Sequence, residues 1–387
     1  MNKRLKFDKI SGMRAKKTVI VAMSGGVDSS VSAALLKEQG FGVIGVFMKN
    51  WSEDFGNWGP PGTPRDKAKN EPWRTGCTWA EDSEDARKVA QVLDIPFYIW
   101  NFEKEYYDKV VEYFLREYAA NRTPNPDVMC NSEIKFKLFL NKALSLGADY
   151  VATGHYARIQ ETENSKQKTD YRLLKGIDPA KDQSYFLYTL KQKQLSKILF
   201  PIGEYIKSEV RELARKFGLP NAEKKDSQGI CFIGKINVQQ FLKAKIPARV
   251  GEIVSTSGQS LGQHEGLPFY TIGQRQGIKI GGSGPYYVVR KDTTQNQLLV
   301  TNDSNDKQLW QQKFEVVDVT WVNQTPHFLL KAGVTIRYHH PDYPATIEQI
   351  TDNKLKIIFD KPQRAITPGQ SAVFYNGDEL LGGGIIE

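Results

Sequence analysis

Through the first two hundred residues, continuous apolar runs alternate with amphipathic ones. Thr18–Met23 (TVIVAM) is a short apolar run of the kind that a strand buried on both faces shows. Ser29–Gln39 then places Val31, Ala34 and Leu35 on one helical face, with Gly40 positioned to end the helix. Gly42–Met48 reads as the next strand, Ala80–Leu93 as a helix, Ile95–Trp100 as a strand and Glu105–Tyr118 as a helix. Asn131 is placed to cap a helix that runs to Leu144 and is closed by Gly147, and Tyr150–Thr153 is a further strand. Alternation of this regularity predicts an α/β domain on a mostly parallel sheet.

Two short amphipathic helices follow, Lys207–Phe217 and Val238–Ala244. From about Gly251 the pattern changes to β-rich runs punctuated by Gly, Pro and Asn. Tyr286–Arg290, Gln297–Thr301, Phe314–Trp321, Val334–Tyr338, Ala345–Ile350, Lys354–Phe359 and Ser371–Tyr375 read as strands. Their spacing predicts a small all-β barrel or sandwich. The expected order is an α/β domain, a small basic central domain and a β domain.

The 387 residues are 40% hydrophobic and 25% charged, which excludes a disordered or collagen-like chain. Three cysteines (Cys77, Cys130 and Cys231) make no disulfide scaffold and fit a reducing compartment. No apolar run approaches the roughly 18 residues of a membrane helix. The basic start, residues 1–17, precedes too short an apolar core for a signal peptide. The expectation is a soluble, cytoplasmic protein with no membrane partner. Lys and Arg outnumber Asp and Glu by 53 to 44, a formal charge of +9. The excess concentrates between Glu204 and Arg249, where ten basic residues meet five acidic ones, a net +5. Such a segment attracts polyanions, nucleic acid among them, although a solvated basic surface has the same signature.

The sharpest local signal is Ser24-Gly25-Gly26-Val27-Asp28-Ser29-Ser30, between the first strand and the first helix. Glycines let backbone amides approach a phosphate closely, and a helix N-terminus adds its positive dipole end. Ser24, Ser29 and Ser30 can donate hydroxyl hydrogen bonds to the same oxygens. The string lacks the Gly-Lys-Ser/Thr ending of the usual P-loop. It resembles instead the SGGxDS loop of the PP-loop ATP pyrophosphatases. That resemblance implies cleavage of ATP between its α and β phosphates and adenylation of an unreactive carbonyl oxygen. It also implies Mg2+ to neutralise the phosphates.

The cysteines are the second signal. Cys130 follows Arg122–Met129 (RTPNPDVM), whose prolines hold the approach extended and place the thiol just before the expected cap, where a thiolate is favoured. Cys231 lies in Asp226–Ile233 (DSQGICFI) beside Lys224 and Lys225, whose charge acts in the same direction. A lone cysteine is more often a small buried hydrophobe. Polar, Pro/Gly-rich surroundings set Cys130 and Cys231 apart from Cys77.

Taken together, FMKNW (Phe47–Trp51), NPDVMCN (Asn125–Asn131), GHYAR (Gly154–Arg158), KDQSYFL (Lys181–Leu187), DSQGICFIG (from Asp226), YTIGQRQG (Tyr270–Gly277) and TPGQSAVFY (Thr367–Tyr375) closely resemble the tRNA-specific 2-thiouridylase family. The likeness runs nearly end to end. Members replace O2 of the wobble uridine in certain tRNAs by sulfur, using ATP and a persulfide. The resemblance implies a PP-loop catalytic domain of the adenine-nucleotide α-hydrolase type over residues 1–203. A small basic domain carrying the persulfide cysteine would span 204–275, and a C-terminal β-barrel that docks tRNA would span 276–387. Ala22, Met23, Ser24, Gly25, Gly26, Val27, Asp28, Ser29, Met48 and Gly154 would line the ATP site. Cys130 would be the nucleophile and Cys231 the persulfide carrier, the pair ending a turnover as a disulfide. Asn125, Pro126 and Asp127 would face the target base, with Asp127 a candidate general acid or base. His155, Lys181, Asp182, Gln183, Arg337, Tyr338 and Gln370 would touch tRNA. The implied cofactors are ATP and Mg2+, and the implied partners are tRNA and a persulfide sulfur donor or relay protein.

Other readings share parts of this pattern. Another PP-loop adenylating ligase would keep the loop but has no use for paired cysteines, and an amidotransferase would add a glutaminase Cys with a partner His. A non-catalytic RNA-binding protein fits the basic middle and the β-rich tail but not an intact SGGVDSS. Some thiolating PP-loop enzymes hold an iron–sulfur cluster on three cysteines. Here Asp127 stands where a CxxC pair would need a cysteine, so a cluster-free persulfide route is expected. Residues 55–74 depart from the family in length and in their Pro, Gly and Trp content. With Trp51, Trp58, Trp73 and Trp79 in or beside that loop, local packing is favoured over stacking on nucleic acid.

Overall fold

In a computed structural model of the protein, residues 16–52, 79–163, 169–226, 238–278, 280–281 and 284–387 are described. Cys77, Cys231, Trp58 and Trp73 lie outside them. The apolar runs of the first half form a five-stranded, wholly parallel sheet in the order β3-β2-β1-β4-β7. Its strands are β1 (Thr18–Ala22), β2 (Gly42–Lys49), β3 (Phe97–Asn101), β4 (Tyr150–Ala152) and β7 (Ile198–Leu199). The period of two sorts β1 between two cores. Val19 and Val21 pack with the helices Val27–Glu38 and Lys207–Lys216, whereas Ile20 and Ala22 pack with Tyr106, Cys130 and Ile134 on the other face. Burial on both faces is why this run is apolar throughout.

The helix expected after Asn131 starts earlier. Its first residue is Pro126, and its cap is Asn125, whose Oδ1 accepts a hydrogen bond from the Val128 N–H at 3.4 Å. Proline suits the first helical position because its missing N–H would have had no partner there. The helical stretch continues through π-helical turns over Cys130–Phe139 to Ser145. Cys130 therefore sits inside a helix rather than ahead of one.

The hairpin β5 (Ala157–Glu163) and β6 (Thr169–Lys175) leaves the parallel sheet, and no strand was expected there. β6 pairs instead with the last strand of the chain, Leu174 opposite Glu379 and Leu173 opposite Leu380. A second sheet, in the order β10-β11-β8-β9, joins β8 (Gly251–Ser255) and β9 (Ser260–His264) to β10 (Tyr287–Asp292) and β11 (Gln297–Thr301). The division expected at 275/276 runs through this sheet. The third is a closed antiparallel barrel of β12 (Trp310–Trp321), β13 (Leu330–Thr335), β14 (Tyr343–Thr351), β15 (Lys354–Arg364), β16 (Ser371–Asn376) and β17 (Glu379–Ile386). β12 pairs with β17 to complete the circle. Phe241, Ile253 and Val288 share one buried cluster with Ala22, Met48 and Cys130, and Phe241 packs on Trp51 and Phe114, so the central module shares a core with the N-terminal domain. Among the described residues no helix is long and apolar enough to cross a membrane.

Candidate active site

The glycine-rich loop lies where β1 delivers its C-terminal end. Gly25 has φ of 76°, a conformation that favours glycine, and a Cβ there would run into the backbone of Asp82. Gly26 is the N-cap of the helix Val27–Glu38 and offers no side-chain cap, so the first-turn amides stay open to a ligand. Gly154, at the end of β4, presses on the loop from behind: a Cβ at that position would stand 2.6 Å from the Ser29 nitrogen. Ser29 Oγ accepts from the Ser24 N–H at 3.1 Å and donates to the Gly26 carbonyl at 3.1 Å. Asn221 braces the same turn, donating from Nδ2 to the Gly25 carbonyl and to Ser30 Oγ, each at 2.9 Å.

Asp28 opens an ionic network. Lys207 Nζ binds its carboxylate at 2.7 and 2.9 Å, and the Tyr156 hydroxyl donates to it at 2.8 Å. Burial, then the Asp28 charge, pushes the Tyr156 hydroxyl far above its ordinary range, so it remains a donor. Lys207, only 13% exposed, also meets Asp226 at 2.8 Å. Lys181 and Arg211 complete the cluster on Asp226 at 2.6 and 3.1 Å. Burial alone would raise the Asp226 carboxyl, but hydrogen bonds from Lys181 and Lys207 outweigh it and bring it down to about 2. Lys224, expected to favour a thiolate at Cys231, is held by Asp82 and Asp85 at 2.7 Å each. Much of the basic excess of this segment is thus paired within the protein; Arg215 with Glu223 and Lys243 with Glu265 are further cases.

Cys130 is 0% exposed. Burial pushes its thiol up to about 12, against a smaller opposing effect of the Lys135 charge. The expected thiolate at a helix start is therefore absent from this conformation, because the helix begins one turn sooner and encloses the sulfur. Asp127 lies in the first turn of the same helix, and Asn125 and Pro126 begin it.

The residues expected at tRNA are placed in different surroundings. His155 is 7% exposed, its ring set against Phe136 and Phe200 with Nδ1 2.7 Å from Thr153 Oγ1. Burial, then Lys135, holds its protonation well below the ordinary range, so it is a neutral interior group. Asp182 and Gln183 are turned inward. Asp182 accepts from the Gly176 and Ser184 N–H groups at 2.9 and 3.1 Å, and Gln183 Oε1 accepts from the Tyr156 N–H at 3.1 Å. Gln370 Nε2 donates to the Thr123 and Pro124 carbonyls at 2.9 and 3.3 Å. Lys181 belongs to the Asp226 cluster. Arg337 donates to Thr367 Oγ1 at 3.2 Å, and Tyr338 packs on Phe186 with ring centroids 4.3 Å apart. Of the tryptophans, Trp51 is buried against Phe241, and Lys49 lies over the Trp79 ring at 4.4 Å.

Lys207, Tyr156, Asn221 and Asp226 belong to the site without having been assigned a role in the sequence. The available signals were Tyr156, inside GHYAR, and Asp226, which opens the DSQGIC string; Lys207 pairs with a residue 179 positions away, beyond the reach of any local pattern.

A parallel sheet with an SGG turn at its C-terminal edge, followed by two β modules, defines a PP-loop nucleotide-binding protein with barrel appendages. Family models agree module by module. Residues 17–235 match the tRNA methyl transferase HUP domain, 239–302 the tRNA methyl transferase PRC-barrel domain, and 311–386 the aminomethyltransferase beta-barrel domain. The chain is 50% identical over 371 residues to the tRNA-specific 2-thiouridylase MnmA of Geobacillus thermodenitrificans, covering 95% of this chain and 94% of that protein. It is 50% identical over 375 residues to the protein of that name from Shouchella clausii, covering 95% and 96%. For the Streptococcus pyogenes serotype M49 protein the figures are 49% over 381 residues, with 96% of each covered. The chain belongs to the tRNA-specific 2-thiouridylase family.

Proposed function

We propose that this protein replaces O2 of the wobble uridine of tRNA by sulfur, activating the base with ATP and drawing sulfur from an enzyme persulfide. The observation that carries the reading is 50% identity to tRNA-specific 2-thiouridylases over 95% of the chain. The open amides beyond Gly26 and the close approach enforced by Gly25 and Gly154 suit the phosphates of ATP. Mg2+ would neutralise phosphate charge, and it needs only one or two carboxylates besides phosphate and water oxygens. Asp28 is the carboxylate of the loop that fits that need, once Lys207 yields it.

Sulfur transfer then requires Cys130 and Cys231. The Cys130 thiolate attacks the inner sulfur of the Cys231 persulfide, and the S–S bond to the outer sulfur breaks. Two cysteines are oxidised to a disulfide while the outer sulfur is reduced to sulfide. Sulfide adds at C2 of the activated uracil, AMP departs with the former O2, and a reductant resets the disulfide. Because Cys130 is enclosed and protonated in this conformation, the helix start must open before that attack. Asp127, in the same first turn, would take up the accompanying proton.

Methyl transfer, the reading carried by the family description alone, leaves a phosphate-type loop and the paired cysteines without a task. The test is direct. Unmodified tRNA, ATP, Mg2+ and a persulfide donor are incubated with the protein, and the digested nucleosides are examined by mass spectrometry. We expect 2-thiouridine at the wobble position with AMP and pyrophosphate released in step. Absence of 2-thiouridine, or its appearance at another position, would overturn the assignment.

A further inference from the structure

Between the helical stretch that ends at Ala119 and the helix that begins at Pro126 runs a short strap, residues 120–125, which ends at Asn125 and leads into Pro126 and Asp127. The strap has no regular structure of its own, so its position depends on where its backbone hydrogen bonds go. On its N-terminal side the chain holds itself: Arg122 binds Glu117 through two hydrogen bonds of 2.6 and 2.9 Å, and the Arg122 N–H reaches the Glu117 carbonyl at 2.9 Å. Further partners along the strap come from the two barrels. The C-terminal barrel supplies the Pro368 carbonyl to the Thr123 N–H at 2.9 Å and the Gln370 amide to two strap carbonyls. The central module supplies Thr271 Oγ1, 3.1 Å from Thr123 Oγ1, and Lys291 Nζ, which donates to the Asn121 carbonyl at 3.0 Å.

Lys291 is the unexpected member. It extends from β10, and among the described residues no carboxylate pairs with it; its hydrogen bond goes to the neutral carbonyl of Asn121, a residue held at φ of 61°. Burying an ammonium against a neutral acceptor costs desolvation that an apolar side chain of the same length would not incur. Burial accordingly pushes the Lys291 ammonium down to about 8. Stability alone is poorly served by a lysine here, whereas a long donor that fixes one carbonyl from a neighbouring module serves geometry.

We propose that Lys291, together with Thr271, is a positioning residue for the thiolation reaction: through the Asn121 carbonyl, the central module sets where the strap holds the target uracil relative to Cys130. The inference rests on the thiolation reading above. It assigns the central module, residues 239–302, a part in the chemistry. Phosphate contacts supply a large share of affinity in protein–nucleic acid complexes, so displacing the strap is expected to act on the chemical step more than on binding. Misplacement by about 1 Å can slow such a step about a hundredfold.

The experiment compares wild type, Lys291→Met, Lys291→Arg and Thr271→Val in single-turnover thiolation of a saturating unmodified tRNA transcript. The Kd for that tRNA and the Tm are measured alongside. We expect Lys291→Met to slow thiolation at least about tenfold while tRNA affinity stays within about twofold and Tm does not fall. Lys291→Arg, which keeps a long cationic donor, restores the rate to within about threefold. Thr271→Val slows thiolation in the same sense and carries the test if Lys291→Met does not fold. A wild-type rate in Lys291→Met, or in Thr271→Val if Lys291→Met does not fold, overturns the proposal. So does a loss in Lys291→Met that Lys291→Arg fails to rescue. If the wild type itself makes no 2-thiouridine, the functional reading fails and this inference falls with it.

Discussion

At the scale of single residues, the site is held in a resting arrangement. Cys130 is protonated and enclosed, and Asp28 is paired with Lys207 and Tyr156. A thiol whose pKa is about 12 is ionised about a thousandfold less at pH 8 than one of ordinary pKa. Alkylation of the Cys130 peptide by iodoacetamide should therefore be slow in the free protein and rise about tenfold per pH unit between about pH 8 and 11. Adding tRNA and ATP should accelerate it. Rapid labelling of the free protein at pH 7, followed by peptide mass mapping, would contradict the enclosed thiol. Asp28→Ala should abolish pyrophosphate release with the fold intact, since Lys207 keeps Asp226 as its partner. Unchanged turnover in that variant would remove Asp28 from the reaction.

At the scale of elements, what could be read in the sequence was what is locally determined. β1 and β2 were legible because burial on both faces demands a continuous apolar run. SGGVDSS was legible because a phosphate cradle needs its glycines and hydroxyls side by side. β5 and β6 escaped because Arg158–Glu163 and Thr169–Arg172 carry mostly polar side chains, and their pairing is decided by a barrel strand far along the chain. β17 escaped for the opposite reason: Gly382, Gly383 and Gly384 argue against a strand. In the fold those glycines let β12 and β16 close around it. A Cβ at Gly383 would stand 2.7 Å from the Ala372 carbonyl oxygen and 2.9 Å from the Tyr188 ring. Gly383→Ala should cost about 1–3 kcal/mol, readable as a lower denaturation midpoint. Gly154→Ala should act on the nucleotide loop instead. Its methyl meets the Ser29 amide, so ATP affinity should fall at least about tenfold in a calorimetric titration. The cap at Asn125 was misplaced to Asn131 because both are asparagines ahead of an amphipathic run, and only the proline rule separates them.

At the scale of the whole molecule, the net charge of +9 survives although much of the 204–249 excess is engaged in ion pairs. Attraction for tRNA is then a property of the summed surface and not of that one segment. Binding should weaken at least about tenfold between about 50 and 200 mM salt, as released counterions require. A salt-independent Kd in a filter-binding series would refute this. Charge reversal within the paired set should disturb the fold more than the affinity.

The pairing of β6 with β17 also has a consequence in time. A ribosome completes Lys175 roughly 200 residues before it reaches β17, an interval of about 10–40 s at ordinary elongation rates. Throughout that interval β6 presents an unpartnered edge to solvent or to other nascent chains. Anything that halts synthesis between these points leaves the nucleotide-binding half made and its hairpin unsheltered, so premature termination yields a sticky fragment rather than a smaller enzyme.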